Sequence, residues 1–311
     1  MKEFSFTPSE CIPFRDKKEI DRVRSIKREE IDKHPNSELT IQVVPDSLVE
    51  HLFVTDMFYR IKTAKEEGKK IVLLLPNPNH GYIKLAHLIN KFKVKCDHLY
   101  TFNLDEYADE DGNIAPESYP QGFLRSTKNY FYKQIDESLR PPEDHIIGFT
   151  NENVNDYGKM ITDMGGADAS YTGPGWTGHI AFIEPDAPEF QTDDLEEWKQ
   201  MGPRIVTLSP FTIAQNSLHG SFGMSGDLAA VPPKAATIGP AQVIEAKYRM
   251  DMHALNTAGT MVSWQRLMTR LVLHGPVTPK VPTSIIQQLA ADVIVSETAA
   301  MDIEPVWDMG Y

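Results

Sequence analysis

The chain is poor in cysteine, in long apolar runs and in positive charge. Two cysteines in 311 residues, Cys11 and Cys96, are too few for a disulfide framework. No apolar run approaches the roughly 20 residues needed to cross a bilayer, so no membrane partner is expected. The start MKEFSFTPSE has no basic flank leading into an apolar core, which argues against a secretory signal and for a cytoplasmic location. Lys plus Arg number 31 against 44 Asp plus Glu, and the net charge of −13 would repel a phosphate backbone, which excludes nucleic acid as a partner. His80 and His87 have no close Cys or carboxylate companion in a ligand pattern, so neither metal nor other cofactor is expected. Internal repeats and low-complexity linkers are also lacking.

What is present is ordinary globular material, 41% hydrophobic and 24% charged, enough for a packed core. DKKEIDRVRSIKREEIDKH reads as a surface helix with Ile20, Val23, Ile26 and Ile31 on one stripe, so residues 1–47 are expected to form a helical extension to an α/β domain at 48–311. Residues 48–67 read as a helix stopped by Gly68. IVLLLP is then an unbroken apolar run of the kind that forms a central parallel strand. The loop PNPNHG and the helix YIKLAHLINKF follow it. HLYTFNL, ADASYT, RIVTLS, AATIG and ADVIVS are further strand candidates, GFLRSTKNYFYKQID a further helix, and the acidic run DEYADED a loop. This alternation implies a doubly wound, mostly parallel sheet with helices on both faces, a Rossmann-like three-layer architecture. Ligands of such sheets bind beyond the carboxyl ends of the strands, which singles out PNPNHG, NLDEY and GPGWTGHIAFIEP.

The last of these fits the dinucleotide pattern G-x-G-x-x-G. That pattern needs a long helix after the glycines, and Pro185 and Pro188 prevent one. The competing reading is a glycine-shaped turn presenting His179, with Glu184 five residues on. Taken alone, His179 suits a backbone-bonded core histidine equally well. The companion segment Thr101–Tyr107, which carries Asp105 and Glu106 and is followed by Pro116-Glu117-Ser118-Tyr119, favours a proton-transfer site.

TFNLDEY with its downstream PESY, then GHIAFIEP, then VPPKAATIG resemble, in order and spacing, the glucosamine-6-phosphate deaminase (isomerase) family, related to the 6-phosphogluconolactonases. The resemblance covers residues from about 48 to 296, and GHIAF-x-EP favours the deaminase branch. It implies an enzyme of carbohydrate metabolism. Asp105 would shuttle a proton between neighbouring carbons of a ring-opened amino sugar, His179 would assist ring opening, and Glu184 would hold the imidazole. Candidate substrate-binding positions are Asn77, Asn79, His80 and Gly81 in the first loop, Glu106 beside Asp105, and Gly175, Thr177 and Gly178 before the histidine. Arg204, His219 and Lys234 complete the set.

The chain departs from the family pattern at several of these positions. Thr177 stands where the family has Asp, so the imidazole loses an anionic neighbour. PNPNHG replaces a Gly-Gly-Thr-Pro type loop, Leu218 replaces the arginine of Asn-Ser-Arg, and Pro233 displaces the lysine to Lys234. The expectation is a substrate without the usual terminal phosphate, or with another polar group there. Two alternatives stay open: a sugar lactone hydrolase in which His179 activates water, and a non-catalytic sugar-binding sensor. A homo-oligomer is compatible with the family, and Met250, Met252, Met261 and Trp264 are candidates for an interface, an altered pocket wall or plain core.

Overall fold

The computed structural model describes residues 4, 6–76, 81–254 and 263–306. Asn77, Asn79, His80 and Met261 lie outside the described residues.

Seven strands form one parallel sheet: β1 (Leu39–Val44), β2 (Ile71–Leu75), β3 (Leu99–Asn103), β5 (Ile146–Ile147), β6 (Ala169–Thr172), β9 (Arg249–His253) and β10 (Ala291–Ser296). Their spatial order is β1-β10-β9-β6-β2-β3-β5. Three more, β4 (Asp105–Ala108), β7 (Arg204–Thr207) and β8 (Lys234–Thr237), form a separate antiparallel sheet in the order β4-β8-β7.

The central run IVLLL shows why the fold has three layers. All five residues are buried, and successive side chains of a strand point to opposite faces. Ile71, Leu73 and Leu75 pack with the helices Asp46–Glu66 and Gly81–Phe92, whereas Val72 and Leu74 pack with Tyr157 and Ile161 of the helix Tyr157–Asp163 and with Val243. At about 25 cal/mol per Å², such two-sided burial is the main drive for this element. Among the described residues no helix is long and apolar enough to cross a membrane.

Three expectations are corrected. The segment 1–47 is not purely helical, because β1 pairs in parallel with β10, and Val23 and Ile31 join Leu39, Ile41 and Val293 in one core cluster. RIVTLS and AATIG contribute to the antiparallel sheet instead of the main one. The acidic stretch read as a loop begins with a buried strand, Asp105–Ala108.

The topology locates the site. From β2 the chain winds outward to β3, while β6 lies on the other side of β2 and leads toward β9, so the strand order reverses between β2 and β6. A crevice opens at such a reversal. Leu104 is the hinge between the sheets: its N–H donates to the Leu75 carbonyl of the main sheet, and its own carbonyl accepts from Ile238 N. Asp105 therefore stands at the seam.

Candidate active site

The turn before His179 is built by close approaches. Gly178 N donates to Gly175 O at 3.0 Å, and Gly178 has φ +81°, a region that strongly favours glycine. A β-carbon on Gly178 would meet Val281 and Met268, so this glycine serves the turn and its packing. A β-carbon on Gly175 would lie 1.9 Å from His179 Nε2, so only glycine leaves room for the ring. Thr283 clamps the turn by donating its hydroxyl to the carbonyls of Gly178 and His179. After the histidine, Ile183 N returns to Ile180 O through Ala181, which has φ +52°. This uncommon conformation brings Glu184 back under the imidazole.

His179 is 5% exposed and Glu184 1%. Around Nδ1 lie Thr177 Oγ1 and Thr212 Oγ1, each at 3.0 Å, and Glu184 Oε2 at 3.2 Å. Thr177 also donates its hydroxyl to Glu184 Oε2 at 3.2 Å. No described residue hydrogen-bonds Nε2. Glu184 Oε1 is buried and has no partner among the described residues, which leaves the carboxylate directed toward the ring by one oxygen.

Asp105, 7% exposed, reaches the same neighbourhood from the other sheet. It pairs with Thr237, whose hydroxyl accepts from Phe182 N at 3.1 Å, three residues past the histidine. The hydroxyls of Tyr82, Tyr107 and Tyr157 are pushed well above their ordinary range, first by burial and then by the Asp105 charge. Neutral phenols thus stand near this carboxylate at any physiological pH.

Strand alternation separates Asp105 from two of the expected partners. Glu106 points to the opposite face, where its carboxylate accepts from the backbone N–H groups of Tyr107, Phe123 and Leu124 at 2.8–3.0 Å. Burial pushes it up to about 7, while the N–H bonds pull the other way. Glu106 anchors the start of the helix Phe123–Tyr130. Lys234 is three residues from Thr237 along β8, hence about 10 Å away and on the other face. Pro233, one residue earlier and on the Thr237 face of the chain, has no charged side chain to offer there.

Arg204 supports the fold locally. Its guanidinium lies over the Phe190 ring and donates to the carbonyls of Gly202 and Glu189, bracing the turn at 188–190. Thr177 supports the imidazole directly. Gly81 is buried at the first turn of its helix. His219 caps the turn Gly220–Phe222 and lies within electrostatic range of His179: burial, then the His179 charge, lower it to about 4. Leu218, at the C-cap of the helix before it, is 40% exposed. Trp264 stacks on Trp176, ring centroids 5.9 Å apart, beside the histidine turn.

Sequence reasoning missed the helix Pro210–Ser217. Thr212, Gln215 and Asn216 lie at i, i+3 and i+4, one face of the helix, and all are buried. Thr212 meets the imidazole, Gln215 Oε1 accepts from Trp176 N at 2.7 Å, and Asn216 Nδ2 donates to Tyr107 OH at 2.9 Å. The helical spacing of three polar residues in SPFTIAQNS was the available signal.

No protein-family model matches the chain. It is 32% identical over 195 residues to the glucosamine-6-phosphate deaminase of Caenorhabditis elegans, covering 60% of this chain and 65% of that one, just under two thirds of its length. It is 29% identical over 230 residues to the glucosamine-6-phosphate deaminase of Rhodopirellula baltica, covering 73% and 80%. A monomeric glucosamine-6-phosphate deaminase has the same fold, with TM-score 0.65, 20% identity, and coverage of 84% of this chain and 98% of that one. So does the 6-phosphogluconolactonase of Leishmania guyanensis, with TM-score 0.57, 13% identity, and coverage of 86% and 99%. These relatives are enzymes; the chain is similar in sequence to glucosamine-6-phosphate deaminases and shares the fold of both a glucosamine-6-phosphate deaminase and a 6-phosphogluconolactonase.

Proposed function

We propose that this protein catalyses proton transfer on a ring-opened amino sugar or related sugar, an isomerisation or deamination. Asp105 carries the proton between neighbouring carbons. His179 opens the ring by passing a proton between the ring oxygen and the anomeric hydroxyl through Nε2, and Glu184 holds Nδ1. In a deamination, water would replace the amine and ammonia would leave as the ketose forms. One observation carries this reading. The imidazole is held entirely from its Nδ1 side, with Nε2 unbonded among the described residues, on a loop that Thr237 ties to the Asp105 strand.

The substrate in this proposal lacks the usual terminal phosphate or presents another polar group in its place. Leu218 supplies no charge, Lys234 faces the other side of its strand, and Pro76 and Pro78 have no backbone N–H to offer. His219 is the titratable group near the ring that remains for a substrate hydroxyl.

A thermal-shift panel of amino sugars, ketoses and sugar lactones, each with and without phosphate, tests the substrate class, because a ligand raises the melting temperature by mass action. Non-phosphorylated sugars are expected to stabilise. Tight, phosphate-dependent binding of glucosamine 6-phosphate in isothermal titration would overturn the altered subsite. Asp105→Asn is expected to abolish ammonia or ketose formation and keep affinity. Release of a free acid from a lactone would instead favour the hydrolase.

A further inference from the structure

The hydrogen-bond partners of His179 point to how the ring is made ready, an inference that rests on His179 being the proton carrier proposed above. Three oxygens surround Nδ1, and a nitrogen there either offers one proton or accepts one. Glu184 Oε2 is a carboxylate oxygen at 3.2 Å. Thr177 has given its hydroxyl proton to that same carboxylate, so it turns a lone pair toward the ring. Two lone-pair neighbours are compatible only with a proton on Nδ1. Thr212 Oγ1, at 3.0 Å, then accepts as well.

We infer that Thr212 is a positioning residue that, with Thr177 and Glu184, fixes the neutral His179 ring as the Nδ1–H tautomer and leaves Nε2 unprotonated toward the substrate. The cage replaces a second anionic neighbour with hydroxyls. Of its three members Thr212 alone comes from outside the histidine loop. The helix Pro210–Ser217 is rigid enough to act as a post, because its same face also holds Trp176 N through Gln215 and Tyr107 OH through Asn216. One short helix therefore sets the imidazole turn against the β4 strand that begins with Asp105. The titratable groups in reach of the ring are Glu184 and Asp186 from the loop after it and His219 from the turn after the helix.

The test uses the full chain labelled with [15N]histidine, with ring nitrogens read by 15N–1H correlation spectra. Wild type and Thr212→Ser are expected to show a protonated Nδ1 and a bare Nε2 for the neutral His179 ring. Thr212→Val, nearly the same shape without the hydroxyl, removes one acceptor from that proton and is expected to keep it on Nδ1 while shifting its 15N–1H resonance, with a fall in kcat of about tenfold and KM unchanged. A wild-type spectrum with the proton on Nε2 overturns the inference, as does a folded Thr212→Val with the wild-type ring spectrum. The wild-type and Thr212→Ser spectra decide the matter even if the valine variant does not fold. They need no substrate, so an absence of turnover on every sugar would sink the proposed activity and leave this result standing.

Discussion

Gly175 and His179 touch so closely that a single methyl group would fill the space of the imidazole's outer nitrogen, 1.9 Å from Nε2. The contact explains the second glycine of GPGWTG without any nucleotide. Gly175 has no positive φ, so alanine fits its backbone and must displace the ring instead. Gly175→Ala is expected to lower kcat by about a hundredfold, the scale on which a misplacement of about 1 Å acts. Melting temperature should fall far less than catalysis, and a variant with wild-type turnover would remove the imidazole from the mechanism.

His219 makes the protein sensitive to acid. Burial and the neighbouring His179 lower it from 6.5 to about 4. The unfolded chain thus binds a proton at higher pH than the folded one, and the stability tied to the neutral ring is complete above about 6.5 and lost as pH falls through about 4. His98 and His274 are lowered by burial too and act in the same direction, so the effect must be read by comparison. Between pH 7 and pH 4.5, His219→Gln is expected to lose less melting temperature than wild type, by about 2 °C or more.

How much was legible depended on what each element buries. IVLLL announced itself because both of its faces meet helices. RMDMH did not, although β9 is central: Asp251 and His253 are fully buried as a polar network, with His253 Nε2 at 2.8 Å from Asp251, His253 Nδ1 bonded to Thr269, and Thr172 donating to Asp251. Apolar patterning is blind to a strand whose inward groups satisfy one another. DEYA was misread for a related reason, since Glu106 is neutral in cost only because a helix N-terminus receives it. His179, Asp105 and Glu184 were legible as motifs. Thr212 was not, because its partner lies 33 residues away and only tertiary packing joins them.

Glu106 stands next to Asp105 in sequence yet serves stability. Glu106→Ala leaves the amides of Tyr107, Phe123 and Leu124 buried without an acceptor, at about 1–3 kcal/mol for each unsatisfied group. Denaturant unfolding should show a loss of several kcal/mol. Sugar affinity of the surviving folded fraction should be unchanged, and a selective loss of affinity with normal stability would return Glu106 to the binding site.

Leu218 offers the sharpest probe of the proposed change in the anion subsite, because it ends the same helix that holds the imidazole and its side chain is 40% exposed. An arginine there can reach solvent, so the substitution need not strain the core. A charge-assisted guanidinium–phosphate pair contributes about 1.5–3 kcal/mol, or roughly tenfold to a hundredfold in affinity. Leu218→Arg is therefore expected to improve binding of a sugar phosphate by that factor and to leave the unphosphorylated sugar nearly unaffected. The ratio of the two dissociation constants, measured on both proteins, is the readout. An unchanged ratio would mean that the end of this helix does not face the substrate's terminal group, and that the phosphate question must be settled at the loop after β2 instead.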